Sequence, residues 1–245
     1  MPGVTDVGEV ADAPATIEDV IQRMRRLDAR LASEDGFAWF NRLYLRVTER
    51  VHEALEAGVF QVPRFLVHLD VTFATLYFGA EEAARTGGTA RAPAAWAPLV
   101  EMRSRSDIAP VQFAFAGMEA HIGYHLPMAL VETSAALGCD LARDSAPHDD
   151  FQRVNGILAG VEDEVKDWFA SSYPSGSLLG RLEEQAALWS VAEARERAWT
   201  AAEELAALGD APAERERFLR DLGAAVGQTA CTILQPTGGR ATSSP

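Results

Sequence analysis

Apolar positions recur at helical spacing along most of the chain and predict a succession of amphipathic helices. Alternation typical of strands is scarce, while Ala, Leu, Glu and Arg, which favour helices, are abundant. The pattern therefore predicts an all-α, single-domain helical bundle of about seven or eight helices. We expect these helices at about 16–33, 37–57, 63–85, 96–103, 110–137, 150–169, 178–208 and 212–234.

The segment from Pro110 to Leu137 differs from the others because it is apolar on nearly every side. A helix without a solvated face is expected in the interior, with the other helices packed around it. Burying a polar side chain there is costly unless it forms a hydrogen bond or an ion pair. We therefore expect the few polar residues of this central helix to line a site: Gln112, Glu119, His121, His125 and Glu132.

His121 and His125 are four residues apart, so both imidazoles project from one side of a helix, about 6 Å apart at Cβ. This spacing allows two histidines to bind one metal ion. Glu119 lies about 120° away around the helix and is the natural general base. Pro127 is expected to kink the helix just beyond the pair.

Asp70 lies within the apolar stripe of the third predicted helix, where a carboxylate needs a metal, a cation or several hydrogen-bond donors. A buried structural hydrogen bond to a neighbouring helix is an equally good interpretation. His68 points about 200° away from it. Tyr44 and Tyr77 supply phenol donors on neighbouring stripes, and Asn155 borders the apolar stripe of the helix at 150–169.

Three functions are open on these residues. With a divalent metal, Zn or Fe, the ligands would be Asp70, His121 and His125, and Glu119 would be the acid–base group of a hydrolase or non-heme iron oxygenase. Without a metal, the same pocket suits a cyclase or isomerase that works by acid–base chemistry, with Tyr44, Tyr77 and Asn155 contributing. A non-catalytic protein that binds a small molecule is the third. Each function implies a hydrophobic small-molecule partner, as in specialised biosynthesis.

Outside the central helix, the polar residues are expected to serve structure or solubility. Asp149 is expected to cap the helix at 150–169. The charged residues of the last two helices, Arg195 among them, are expected on outer, solvated faces. Residues 1–15 are predicted to be a flexible N-terminus, 16–235 the helical domain and 236–245 a disordered tail.

The net charge of −14 argues against nucleic acid or an anionic membrane surface as a partner, because both require a basic patch. The two cysteines, Cys139 and Cys231, follow no metal or redox spacing and are expected to be reduced. The N-terminus lacks the features of a signal peptide, and no apolar run is long enough for a membrane span. We therefore expect a soluble, cytoplasmic protein.

Four segments, in this order, resemble a bacterial domain-of-unknown-function family, DUF5995: FNRLYLRVTERV (40–51), FLVHLDVTFATLYFGA (65–80), FAGMEAHIGYHLPMALVET (115–133) and DDFQRVNGIL (149–158). The resemblance implies a helical fold with a shared polar centre formed by Asp70, His121 and Asn155, and it implies no activity. The family's pattern has asparagine where this chain has Glu119 and aspartate where it has His125. The role of His125 therefore depends on this sequence alone.

Overall fold

The computed structural model describes residues 13–172 and 190–236, and it is helical with no strand in those ranges. A π-helical turn, His121–His125, joins helix α5, Pro110–Ala120, to helix α6, Leu126–Leu137. Together they form one continuous central rod. With the rod counted once, these ranges hold eight helices, which confirms the predicted all-α bundle. The helices are α1 Ile17–Arg30, α2 Gly36–Glu56, α3 Pro63–Gly87, α4 Ala97–Met102, α5 Pro110–Ala120, α6 Leu126–Leu137, α7 Ala146–Ser172, α8 Val191–Ala207 and α9 Pro212–Ile233.

Most helices begin and end close to the predicted positions. Thr16 and Asp19 form the predicted capping box of α1, in which each side chain accepts a hydrogen bond from the other's backbone N–H. The prediction that Asp149 caps α7 is wrong, because that helix already begins at Ala146 and Asp149 is an exposed residue of its first turn. Residues 1–12, 173–189 and 237–245 lie outside the described part. Those ranges hold most of the predicted flexible ends and the start of the helix predicted at 178–208.

The central rod is buried by four helices, with α2 and α9 on α5 and with α3 and α8 on α6. Gly117 permits the approach of α2, since a Cβ at this position would lie 2.4 Å from Phe40 Cγ. Gln112 attaches the end of α9, because its side-chain amide donates to the carbonyl oxygens of Ile233 and Gln235 at 2.7 and 2.8 Å. The central rod, Pro110–Leu137, therefore lies in the interior, as predicted.

Pro127 explains the π turn. In a regular α-helix the proline ring would clash with the carbonyl group of Gly123, four residues earlier. The turn before it is widened instead, and the Leu126 N–H donates to the carbonyl oxygen of His121, five residues back. The predicted kink thus takes the form of a local widening that includes both histidines.

Asp150 fixes the start of α3. This side chain is fully buried, and its two oxygens accept hydrogen bonds from the backbone N–H groups of Gln61 and Val62 at 3.0 and 2.6 Å. Asp150 belongs to α7, but it acts as an N-cap for α3 by accepting hydrogen bonds from backbone N–H groups at the start of that helix. The contact sets the position of the helix that carries Asp70.

No helix in the described ranges is both long and apolar enough to cross a membrane.

Candidate functional site

A cavity lies between α2, α3, the central rod, α7 and α8. The space open to water is about 60 Å³, and the whole recess with its solvent-facing mouth is about 610 Å³. A water molecule needs at least about 10–15 Å³, so the inner space is large enough for more than one. Most of the wall is aliphatic or aromatic. Four lining residues are polar or charged: Tyr44, Asp70, His121 and Arg195.

His121 is enclosed by aromatic rings at the wall of this cavity. Its ring stacks on Phe73 with centroids 3.5 Å apart and planes 2° from parallel, and Tyr44 meets it edge-on at 4.6 Å. Only 1% of the residue is exposed. Burial, followed by the proximity of His125, holds the pKa of His121 well below its usual value of 6.5. The ring is therefore neutral and firmly oriented.

The two histidines face each other through the same ring atom. His121 Nδ1 and His125 Nδ1 are 3.1 Å apart, and burial lowers the pKa of His125 to about 3. Because both rings are neutral near pH 7, one Nδ1–H donates to the lone pair of the other Nδ1. His121 Nε2 is left on the other side of its ring, buried and with no hydrogen-bond partner among the described residues.

Asp70 lines the same cavity from α3. The residue as a whole is half-buried, but its Oδ2 atom is shielded from solvent and accepts no hydrogen bond from the described part of the chain. Burial raises the pKa of this carboxyl from 3.8 to about 7. The Tyr44 hydroxyl, beside Thr48, is also buried without a well-formed hydrogen bond, and burial holds its pKa well above 10.

Two of the proposed catalytic residues lie away from this cavity. Glu119 is buried and lines a different cavity of about 210 Å³, which it shares with Gly123 and residues of α8 and α9. Tyr77 is in the core, where its hydroxyl donates to Asn41 Oδ1 at 3.3 Å. The structure brings together Asp70, His121 and Tyr44 at this cavity. Glu119 faces another cavity, and Tyr77 does not line this one although its ring centroid is 5.8 Å from that of His121.

His68 and Glu132 do not line the cavity either. His68 Nδ1 lies 3.1 Å from the hydroxyl of Thr133, so this histidine links α3 to α6. Glu132 is exposed to solvent. His68 and Asp70, two residues apart on α3, therefore face different neighbours.

Arg195 is the residue that the sequence pattern failed to identify. The prediction of an outer, solvated position is wrong, because Arg195 is only 7% exposed and lines the cavity. Its Nε donates to Asn155 Oδ1 at 2.8 Å and its Nη2 to the carbonyl oxygen of Phe151 at 2.7 Å. Asn155 thus acts at the site through Arg195. A signal was present, since Arg195 stands one turn before the buried Trp199.

The residues fit a metal ion only in part. Two imidazole nitrogens 3.1 Å apart match the separation of two ligands on one zinc ion, given Zn–N distances of about 2.0–2.1 Å. The proposed third ligand, Asp70, shares a cavity with His121. Within residues 13–172 and 190–236, however, no group of three or more His, Cys, Asp or Glu side chains has the arrangement of a metal site.

The fold and the cavity define an all-α protein whose central helix presents an imidazole to an apolar recess that also contains a carboxyl group. The chain belongs to the Family of unknown function (DUF5995), whose model matches residues 17–236. This match confirms the resemblance noted in four segments of the sequence. Comparison with curated proteins gave no match, and neither did comparison with solved structures.

Proposed function

We propose that this protein is an acid–base enzyme, an isomerase or cyclase, that moves a proton on a small hydrophobic carbonyl compound. The observation that carries the proposal is a pair of buried atoms, Asp70 Oδ2 and His121 Nε2. Neither has a hydrogen-bond partner in the described part of the chain, and both belong to residues that line one apolar cavity. Unsatisfied buried polar atoms are rare in native proteins, and a bound substrate is one thing that satisfies them. The apolar walls select a substrate with a largely hydrophobic body.

The direction in which burial shifts the pKa of each group indicates its role in the proposed reaction. A carboxyl with a pKa of about 7 is well matched to act as a general base near neutral pH, so Asp70 is the proton acceptor. An imidazole whose pKa lies well below 6.5 is a poor base but remains a neutral N–H donor, so His121 supplies a hydrogen bond. The Tyr44 hydroxyl, with a raised pKa, is a second neutral donor at the same wall.

In the proposed reaction, the Asp70 carboxylate removes a proton from the carbon next to the substrate carbonyl. The electron pair of the broken C–H bond moves into the carbonyl group, and His121 Nε2–H donates a hydrogen bond to the resulting enolate oxygen. Where the substrate carries a carbon–carbon double bond conjugated with this enolate, protonated Asp70 returns its proton to the far end of the conjugated system, and the double bond moves next to the carbonyl. The net change is a proton shift with no gain or loss of atoms. In a cyclase the enolate carbon would instead add to a second carbonyl group of the substrate, and the alkoxide formed there would take the proton from Asp70.

This assignment requires one tautomer of the histidine pair. If His121 carries its proton on Nε2, its Nδ1 must accept, and His125 Nδ1–H must donate across the 3.1 Å contact. His125 is then a positioning residue that orients the catalytic imidazole. The ¹⁵N chemical shifts of the labelled imidazoles distinguish the two tautomers, and a protonated Nδ1 on His121 would contradict this part of the proposal.

The experiment is proton exchange on a minimal substrate. Purified protein is mixed with cyclohexanone in D2O at about pH 8, where Asp70 is ionised, and loss of the α-proton signal is followed by NMR. We expect exchange above the buffer rate, and a loss of roughly 10²–10⁴-fold from that rate in Asp70→Asn. The matched control is Asp144→Asn, which changes an exposed aspartate. Equal exchange by wild type and Asp70→Asn would refute the proposal.

A metal-dependent reaction is the second candidate, and the Nδ1–Nδ1 separation of 3.1 Å favours it. Zinc or iron bound by His121 and His125 would supply a Lewis acid beside the cavity. The test is metal analysis of protein expressed with added zinc or iron. About one equivalent in wild type and its loss in His125→Phe would support this candidate, and less than about a tenth of an equivalent in wild type would reject it.

A further inference from the structure

The guanidinium group of Arg195 is buried without an anionic partner among the described residues. It lines the same cavity as Asp70 and His121, but it forms no ion pair with Asp70 or with any other described carboxylate. Its two hydrogen bonds go to neutral oxygens, which leaves Nη1 without a bond to the described part of the chain. Among the described carboxylates, only that of the neighbouring Glu196 offsets part of the cost of burying this cation, through coulombic attraction.

The guanidinium is held in a fixed orientation. It stacks over the Phe151 ring at 3.9 Å, while Asn155 accepts its Nε–H. Asn155 cannot rotate its amide freely, because its Nδ2 donates to Gln152 Oε1 at 2.8 Å. The amide of Gln152 donates in turn to Glu196, so each member of the chain determines the orientation of the next. Such a rigid donor set is typical of a recognition site.

We propose that Arg195 binds the carboxylate of the ligand, so that the substrate of the proposed enzyme is a small hydrophobic monocarboxylic acid that also carries the carbonyl group beside which the proton moves. This inference rests on the proposed function and names its substrate class. Among the described residues, the lining of the cavity contains one cation, and the rest is apolar apart from Tyr44, Asp70 and His121. One guanidinium matches a singly charged carboxylate, whereas a phosphate would require more positive charge.

The proposal also accounts for the geometry of the recess. Arg195 comes from α8 and Asp70 from α3, so the two groups approach the cavity from different helices and do not neutralise each other. A ligand whose carboxylate pairs with Arg195 places its hydrophobic body against the apolar walls. Its reactive carbon is then within the cavity that Asp70 and His121 share. The arginine therefore positions the substrate and takes no part in moving protons.

The experiment compares two ligands that differ in charge but have the same length and nearly the same shape. Binding of hexanoate and of hexanamide to the wild-type full chain is measured by calorimetry or NMR at about pH 6, where Asp70 is protonated. We expect hexanoate to bind at least tenfold more tightly than hexanamide, because only the acid forms a charge-assisted pair with a buried guanidinium. Equal affinities, or no binding of hexanoate, would overturn the proposal.

Variants then assign the effect to Arg195. Arg195→Met should remove the preference for hexanoate, and Arg195→Lys, which keeps the charge, should retain part of it. The matched control is Arg105→Met, because Arg105 is a half-exposed arginine that pairs with Asp107 outside the cavity. An unchanged preference in Arg195→Met would contradict the assignment. If Arg195→Met does not fold, the wild-type comparison of the two ligands still decides.

The two proposals fail in different ways. Asp70→Asn should abolish proton exchange on cyclohexanone and leave the preference for hexanoate intact, since Asp70 and Arg195 form no ion pair. Exchange that depends on Asp70, with no preference for hexanoate, would overturn the carboxylate site alone. A clear preference for hexanoate without exchange would overturn the enzymatic proposal and leave a carboxylate-binding protein.

Discussion

Replacing Asp70 with asparagine should stabilise the protein at neutral and alkaline pH. The folded chain holds the pKa of this carboxyl at about 7, against an ordinary value of 3.8, because burial disfavours the ionised form. At about 1.4 kcal/mol per tenfold change in the ionisation constant, this difference corresponds to about 4 kcal/mol of folding free energy. Since Asp70 retains some accessible surface, we expect about half of this amount, near 2 kcal/mol.

The sign follows from proton binding. Between about pH 4 and pH 7 the unfolded chain has lost the Asp70 proton and the folded chain still holds it. The unfolded state therefore binds fewer protons, and the free energy of unfolding falls as the pH rises through this window. Above about pH 7 the penalty is complete and constant, and below about pH 4 it is absent. The asparagine side chain does not ionise and escapes the penalty.

The measurement is urea or thermal unfolding of wild type and Asp70→Asn between about pH 4 and pH 8.5. A gain of about 2 kcal/mol at pH 8 corresponds to a rise in melting temperature of roughly 4–8 °C, and the difference should vanish towards pH 4. Asp144→Asn, at an exposed position, should show no such trend. A pH-independent difference, or a variant less stable than wild type at pH 8, would refute the raised pKa and with it the role of Asp70 as a base.

Three other substitutions test the supports of the site. Asp150→Ala should lower the free energy of unfolding by about 2 kcal/mol in urea titrations, because two part-buried N–H groups at the start of α3 lose their acceptors. A loss under about 0.5 kcal/mol would show that these hydrogen bonds are not needed to anchor α3. Gly117→Ala should lower the free energy of unfolding by about 2–3 kcal/mol in the same assay, because the added methyl group would lie 2.4 Å from Phe40 Cγ. An unchanged urea midpoint would show that α2 and α5 separate easily. Pro127→Ala should let the π turn tighten and shift the imidazole ¹⁵N resonances of His121, and unchanged resonances would mean that the proline does not maintain the turn.

The fold could be predicted from the sequence because each helix carries a clear apolar stripe and marked ends. Thr16 and Pro110 both stand at helix starts, as their chemistry predicts. The central helix was recognisable because almost no side of it is polar. Asp149 was misjudged because two adjacent aspartates precede the stripe, and the buried one, Asp150, serves a neighbouring helix. A sequence pattern does not show contacts of that kind between helices.

The candidate site could be predicted only in part. Asp70 and His121 stand out as polar residues on apolar faces, and the structure places both at one cavity. Arg195 was hidden because it is followed by Glu196 and stands in a helix rich in charge, although it lies on the buried side with Ala194 and Trp199. Whether Glu119 points to the same cavity depends on how neighbouring helices pack, and that information is not local to the segment.

The widened turn at His121–His125 divides the central rod into two halves that are in register with different neighbours. Upstream residues are matched to α2 and α9, and downstream residues to α3 and α8. A π turn holds one residue more than an α turn, so removing one residue between the histidines would restore ordinary winding with little rotation of the helix that follows. Removing a residue from an α-helical part of the rod would instead rotate everything beyond it by about 100°. A one-residue change in chain length should therefore rotate the two halves of the rod least when it falls in this turn, and most when it falls in the α-helical segments on either side.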